Sequence, residues 1–409
     1  MAKFYFEQLT PVNLKGDNSI VYLRDCLQLI EDSEYKEELI EVFKFDSIKN
    51  EALKISGLKT LIQKIIDYDR TFLKIDLESH ISNVRYLRST DSNAVILQID
   101  NVDNDLIDEK SIEVETAYST KKDFFDGFYK MDKFANFCIK ENLSDVIISN
   151  IDYLNSKYSE SSRFIKSYRL LKDAENKYFV RAITSVSRYF DYNIKFSLFA
   201  TLLSLHKTIG IINDNFAINY CEFTESFIRI YFKRNTITRL PNIGSLTFSL
   251  EMNNDEIKRE AFKFSGIFTI TTMDNDREVN IHIKPKKKFK TQLISIPHGC
   301  GRPKMVENLS NLPSFITQME EEMKSDLIDI SNITKPDHLR FFLLRKIESS
   351  RNDELKKYKV LIANTLSKKI NQISELFILM DKVNEIVIEF ELKEYLRYIY
   401  YDILSGNGQ

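Results

Sequence analysis

Between residues 228 and 283 apolar side chains recur at every second position in three separate runs. Ile228, Ile230 and Phe232 alternate with Arg229, Tyr231 and Lys233. Leu246, Phe248, Leu250 and Met252 alternate with Thr247, Ser249 and Glu251, and Val279, Ile281 and Ile283 with Asn280, His282 and Lys284. A period of two puts such residues on one face of a strand, so each run predicts a half-buried strand. Pro241-Asn242-Ile243-Gly244, Asn253-Asn254-Asp255 and Asp274-Asn275-Asp276 punctuate the region, favouring short turns and hence antiparallel pairing. Glu251, on the polar face with Thr247 and Ser249, is expected to meet solvent.

Elsewhere the period lengthens to three or four. Ile20, Leu23, Leu27 and Ile30, after Asp17-Asn18-Ser19, predict a capped helix. Helical spacing continues over 35–45 and 50–69, with Gly57 as an interruption, and returns over 123–156 and near 193–209, where Phe196, Phe199, Leu203 and His206 share a face. Ala94 to Ile99 is a strand-length apolar run. The acidic stretch after it (Asp100, Asp103, Asp105, Asp108, Glu109) lacks the glycine and terminal glutamate of a calcium-binding loop and predicts a solvated connection. Beyond Pro313 the chain is expected to be helical. Leu355, Tyr358, Ile362, Leu366, Ile370, Ile373, Phe377 and Met380 predict one long helix. Its apolar stripe either packs on the helices expected over 336–349 and 391–403, or forms a homodimer or partner-protein seam through residues 355–380.

A chain of 409 residues exceeds what one core comfortably serves. The pattern predicts an α+β protein: a helical region over 1–79, a mixed connecting region over 80–160, a basic antiparallel-sheet core over 161–305 and a helical domain over 311–409. Four widely spaced cysteines, without C-x-x-C pairs, exclude a disulfide framework and a zinc knuckle. The first residues lack the apolar core of a secretory signal, and no apolar run is long enough to cross a bilayer, so a soluble cytoplasmic protein is expected.

The formal charge of −2 hides an asymmetry. Residues 1–160 carry 20 Lys+Arg against 30 Asp+Glu, a balance of −10, whereas residues 161–310 carry 24 against 14, a balance of +10. Either the two parts neutralise each other or the basic part attracts an external polyanion. The densest cluster is Lys284, Lys286, Lys287, Lys288 and Lys290, followed by Arg302 and Lys304; it lies between strand-like runs and is expected at an exposed loop tip. Arg229, Tyr231 and Lys233 share a strand face, with Arg234 and Arg239 just beyond and Arg181 and Arg188 upstream. Basic and aromatic groups on one surface are what backbone-directed binding of DNA or RNA requires. The alternative is a lysine-rich hairpin that keeps a sheet edge unpaired.

Enzymatic patterns are sparse, and neither a cofactor nor a metal is implied. Arg277 and His282 have the R-x4-H spacing of the HEPN ribonuclease group, but in an alternating strand an odd separation sends them to opposite faces. His298-Gly299-Cys300 predicts a turn. Glu34-x-Lys36, Asp108-Glu109-Lys110 and Glu175-x-Lys177 contain fragments of metal-dependent nuclease motifs without an upstream carboxylate, so a nuclease is the weakest reading. No phosphate-binding glycine loop is present.

Tyr178-Phe-Val-Arg-Ala-Ile-Thr-Ser185 with Arg188-Tyr189, then Gly244, Ser249-Leu-Glu251 and Phe264-Ser265-Gly266, resembles in order and spacing the phage- and plasmid-associated family called domain of unknown function 932. The resemblance covers about residues 160–300. It departs from the family at Ser249-Leu250, where the family has Asn-Ser, and near Gly266, where its Cys and Asn are missing. It implies a mobile-element or antiphage-defence context and supplies no catalytic residue. The function expected is therefore a non-enzymatic nucleic-acid-binding component, with a structural adaptor assembling through the C-terminal helices as the alternative.

Overall fold

The computed structural model describes residues 4–405 apart from 15, 18, 19, 32, 34, 158–163, 242, 258, 286–292 and 329–334; the side chains of 293, 302 and 390 also lie outside it. The chain opens with β1 (Phe6–Leu9), α1 (Pro11–Leu14), β2 (Val21–Tyr22) and a 3-10 segment, Leu23–Leu29. There follow α2 (Lys36–Val42), α3 (Phe45–Ile48), β3 (Ala52–Leu53), β4 (Ile55–Ser56) and α4 (Leu58–Asp69). The helix expected over 20–30 is thus a short strand and a tighter 3-10 coil, and the start of the helix expected over 50–69 is two short strands. Gly57, at φ 82°, is the N-cap of α4 rather than an interruption in it.

The next stretch comprises β5 (Leu73–His80), β6 (Val84–Ser89), β7 (Val95–Asp100), β8 (Ser111–Thr116), α5 (Thr120–Tyr129), α6 (Asp132–Lys140), α7 (Ser144–Asn155), β9 (Ile165–Lys172) and β10 (Tyr178–Ser185). Lys130 and Asn142, both at positive φ, divide the helical stretch into three helices. Asp103, Asp105, Asp108 and Glu109 are exposed between β7 and β8, as expected. The strands form one six-stranded sheet, ordered β5-β9-β10-β8-β7-β6 and antiparallel except for β10–β8. The sheet therefore takes strands from both sides of residue 160, the boundary expected between two regions. Ile75, Leu97, Val114 and Leu170 share a core with Phe124, Phe125, Ile147 and Ile151 of α5 and α7.

A second, eight-stranded sheet follows: α8 (Ile194–Ile212), then β11 (Phe216–Thr224), β12 (Phe227–Leu240), β13 (Gly244–Asp255), β14 (Phe262–Asp274), β15 (Arg277–Ile283) and β16 (Leu293–Ile296). Its main order is β1-β11-β12-β13-β14-β15, with β4 on β11 and β16 on β14. The three alternating runs are β12, β13 and β15. Their apolar members belong to the core that also holds α8, inside a half-barrel. Length and apolarity alone would let α8 cross a membrane, but 67% of that stretch is buried within the protein. Its polar residues are locally satisfied: the hydroxyls of Ser197, Thr201, Ser204 and Thr208 donate to the carbonyls of Ile194, Ser197, Ala200 and Ser204 at 2.7–3.0 Å.

The chain then turns helical: α9 (Arg302–Ser310), α10 (Leu312–Ile328), α11 (Pro336–Glu348), α12 (Asp353–Lys356), α13 (Lys359–Thr365), α14 (Ile373–Ile386) and α15 (Phe390–Leu404). The long helix expected over 355–380 is three helices with breaks between them. Leu355, Ile362, Leu366, Ile370, Ile373, Leu376, Phe377 and Met380 are all buried in the chain's own core. The stripe that suggested a partner seam is taken up by internal packing.

Candidate nucleic-acid interface

Around Glu251 the polar face of the eight-stranded sheet is covered. Lys284, just past β15, donates through Nζ to Glu251, and the same ammonium lies 3.1 Å from Glu394 of α15. Arg229 reaches Glu222 at 2.7 Å and Glu251 at 3.3 Å. Tyr231 accepts from Arg397 at 3.0 Å, and Arg397 pairs with Glu394. Glu251, expected in solvent, is 1% exposed. Burial pushes its carboxyl up, but Lys284 and Arg229 outweigh that and hold it at about 2. Lys284, expected at an exposed tip, is buried; desolvation works against its charge, while Glu251 and Glu394 raise its pKa above the usual lysine value.

Two further expected contacts are also taken. Arg234 pairs with Asp214 at 2.7 Å and with Glu320 of α10. Arg181 is the extra residue of a bulge in β10: Val180 pairs with Leu170 and Ala182 with Arg169. The inward alternation runs Tyr178, Val180, Ile183, so Arg181 leaves the helix-covered core and reaches Glu256, just past β13, at 3.0 Å. Lys74 and the amide of Ile194, both at 3.0 Å, complete that carboxylate's shell, and Arg169 donates to its backbone carbonyl. Glu256 joins the two sheets. Burial opposes its ionisation, yet Lys74, Arg181 and Arg169 hold it well below the ordinary glutamate range.

The remaining expected residues scatter. Lys233 is half-buried on the covered face, and Arg239 is exposed on β12 opposite Ser245. Ten residues of β13 separate that position from Asp255, roughly 33 Å of strand. Lys286, Lys287, Lys288 and Lys290 lie outside the described residues, as does the side chain of Arg302; Lys304 is exposed in the first turn of α9.

Arg188 is different. It is exposed, and with Tyr189, Arg259 and His298 it lines a cleft of about 400 Å³ at the junction of the sheets. The His298 ring stacks on Tyr189 at 4.9 Å and 8°, with Nδ1 3.1 Å from the Phe190 carbonyl, and burial pushes its pKa down, leaving it neutral. Arg259 is held by Asp255 at 2.6 Å, and its guanidinium lies 4.3 Å above the ring of Tyr118.

Tyr118 in turn borders a second cleft, about 470 Å³, with Lys121, Lys122, Asn93 and Ser119. Lys121 donates to Asn93 at 2.6 Å, and partial burial lowers its pKa. Arg259, Tyr118, Lys121 and Lys122 escaped the sequence reading because they lie up to 141 positions apart in the chain; the only local signal was Lys121-Lys122 after an aromatic residue. Among the described residues no group of three or more His, Cys, Asp or Glu side chains is placed to hold a metal. No family model matches the chain, no curated protein matches its sequence, and no solved structure matches its fold.

Proposed function

We propose that this chain is a non-enzymatic nucleic-acid-binding protein that grips backbone phosphate at the junction of its two sheets. The observation that carries this reading is a division among its cations. Arg181, Arg229, Arg234 and Lys284 serve internal carboxylates. Arg188 and Arg259 are exposed in the cleft beside the end of β16, Arg259 while held by the buried Asp255, and β16 is the strand entered from the segment bearing Lys286, Lys287, Lys288 and Lys290. That strand spans four residues, roughly 13 Å, and leads directly into Pro297, His298 and Gly299 of the cleft wall. The resemblance to domain of unknown function 932 supports a phage, plasmid or antiphage-defence setting.

Fluorescence anisotropy with labelled DNA and RNA tests the reading. Replacing Lys286, Lys287, Lys288 and Lys290 by Gln should weaken binding at least tenfold. It should also flatten the dependence of log K on log salt by about 3, since each single-strand phosphate contact contributes roughly 0.7. Undiminished binding with an unchanged salt slope would remove the lysines from the interface; no binding to any nucleic acid would end the proposal.

A second reading, a structural adaptor, draws on Val360 and Leu361 of α13 and on Ile388 in the connection between α14 and α15, which are 73%, 55% and 79% exposed. If they form an assembly surface, Val360→Glu with Ile388→Glu lowers the molecular mass measured by light scattering and leaves nucleic-acid binding intact.

A further inference from the structure

The two clefts share a wall. Arg259 lines the Arg188 cleft and Tyr118 lines the Lys121 cleft, and these two side chains are stacked on one another at 4.3 Å. The surface therefore runs from Arg188 through Arg259 and Tyr118 to Lys121 and Lys122, cations interleaved with an aromatic ring. Asp255 fixes the guanidinium from below, contacting it at Nε (2.7 Å) and at one terminal nitrogen (2.6 Å). Tyr118 itself sits at φ 55°, a left-handed conformation that a bulky side chain rarely adopts and that strains the backbone. The chain thus holds a half-buried aromatic ring, its hydroxyl turned into the protein, in a strained backbone between two basic hollows. Glu260 and Asp132 also border the clefts; Glu260 is engaged by Lys263 at 2.7 Å, which blunts its charge toward an incoming anion.

We infer that this ridge and its two flanking clefts form the track of a single strand of nucleic acid, with phosphates on Arg188, Arg259, Lys121 and Lys122 and a base against Tyr118. The inference rests on the nucleic-acid reading above and adds to it a path, a strandedness and three residues, Tyr118, Lys121 and Lys122. A flexible strand can lower separate bases into hollows on either side of a ridge, while a duplex keeps its bases stacked inside and presents only phosphate. An acidic peptide could meet the same cations but would gain nothing from the ring beyond ordinary contact.

The test uses the full chain and a fluorescein-labelled thymidine homopolymer of about 12 nucleotides, a duplex of equal length and an oligoglutamate peptide. Tyr118→Gly removes the ring while relieving the backbone, so the fold is not stressed. It should weaken single-strand binding about tenfold and leave duplex binding within twofold. Lys121→Gln with Lys122→Gln should weaken both nucleic acids. If the single strand binds but Tyr118→Gly and the lysine pair leave its affinity unchanged, the track is wrong and the broader reading survives. If the peptide competes as well as the homopolymer, the ridge serves a protein. If no nucleic acid binds the unaltered chain, the broader reading itself falls.

Discussion

Arg181 and Glu256, each 1% exposed, meet at 3.0 Å where the six-stranded and eight-stranded sheets join. The arginine sits at a β-bulge in β10, and the position just past β13 supplies the glutamate. Removing one partner of a buried ion pair leaves the other desolvated and uncompensated. Glu256→Gln should therefore cost about 3–5 kcal/mol in urea unfolding. Because Lys74 loses the same partner, the unfolding transition should also broaden as the sheets uncouple. A cost under about 1 kcal/mol would show that the junction is held by apolar packing alone.

Lys284 and Lys304 are both lysines of the basic central region, and the fold gives them opposite duties. Lys284→Gln should lower stability by about 3–5 kcal/mol, since Glu251 stays buried beside it. Lys304→Gln, on an exposed helical turn, should stay within about 0.5 kcal/mol of the unaltered chain. Thermal and urea denaturation of the two variants side by side decides the matter.

Acid should loosen the structure through its buried carboxylates. Glu251 titrates at about 2 in the fold against 4.5 when unperturbed. The folded state thus binds its proton later than the unfolded chain does, and the stability gained is fully present above about pH 4.5 and drains away as pH falls toward about 2. Urea midpoints at about pH 6 and pH 3 should differ more for the unaltered chain than for Glu251→Gln; equal differences would mean that other groups govern the acid limb.

Leu376→Asp should abolish soluble folded protein, whereas Val360→Asp should leave the thermal midpoint nearly unchanged, because the first is fully buried and the second 73% exposed. A soluble, folded Leu376→Asp monomer would restore the idea that this stripe meets a partner.

Gly244→Ala tests the β13–β14 contact. At φ 147° an added Cβ would stand 1.9 Å from the Thr271 carbonyl oxygen, so backbone must move, and a loss of at least about 2 kcal/mol is expected. Gly266→Ala meets instead side chains, the flexible end of Met319 at 2.7 Å and the ring edge of Phe248 at 2.9 Å, and should cost less.

Alternation alone located β12, β13 and β15, because a strand with one dry face writes its period directly into the residues. The α8 segment is equally plain from the helical spacing of Phe196, Phe199, Leu203 and His206. The same logic misjudged 355–380, where apolar spacing carries straight through Ser367 to Asn371, residues that join two helices without disturbing the count. Polarity misled more than periodicity did. Lys284 and Glu251 look like solvent-facing residues of an alternating strand, and nothing nearby announces that α15, more than a hundred residues onward, will cover them. Arg188 was placed among the candidates from its local motif, but its neighbours Arg259 and Tyr118 come together only through sheet packing. Glu256 was invisible for the same reason: its partners Lys74, Arg169 and Arg181 belong to strands of the other sheet.

The order β5-β9-β10-β8-β7-β6 puts the last two strands of that sheet, in chain order, at its centre. During synthesis, β5 and the β6–β8 meander emerge with a gap between them that stays open until residue 185 leaves the ribosome. A nascent chain halted near residue 160 carries bare ladder groups on both pieces, an invitation to mispairing. Fragments ending there should aggregate, while the cut that yields a soluble amino-terminal piece must fall after β10.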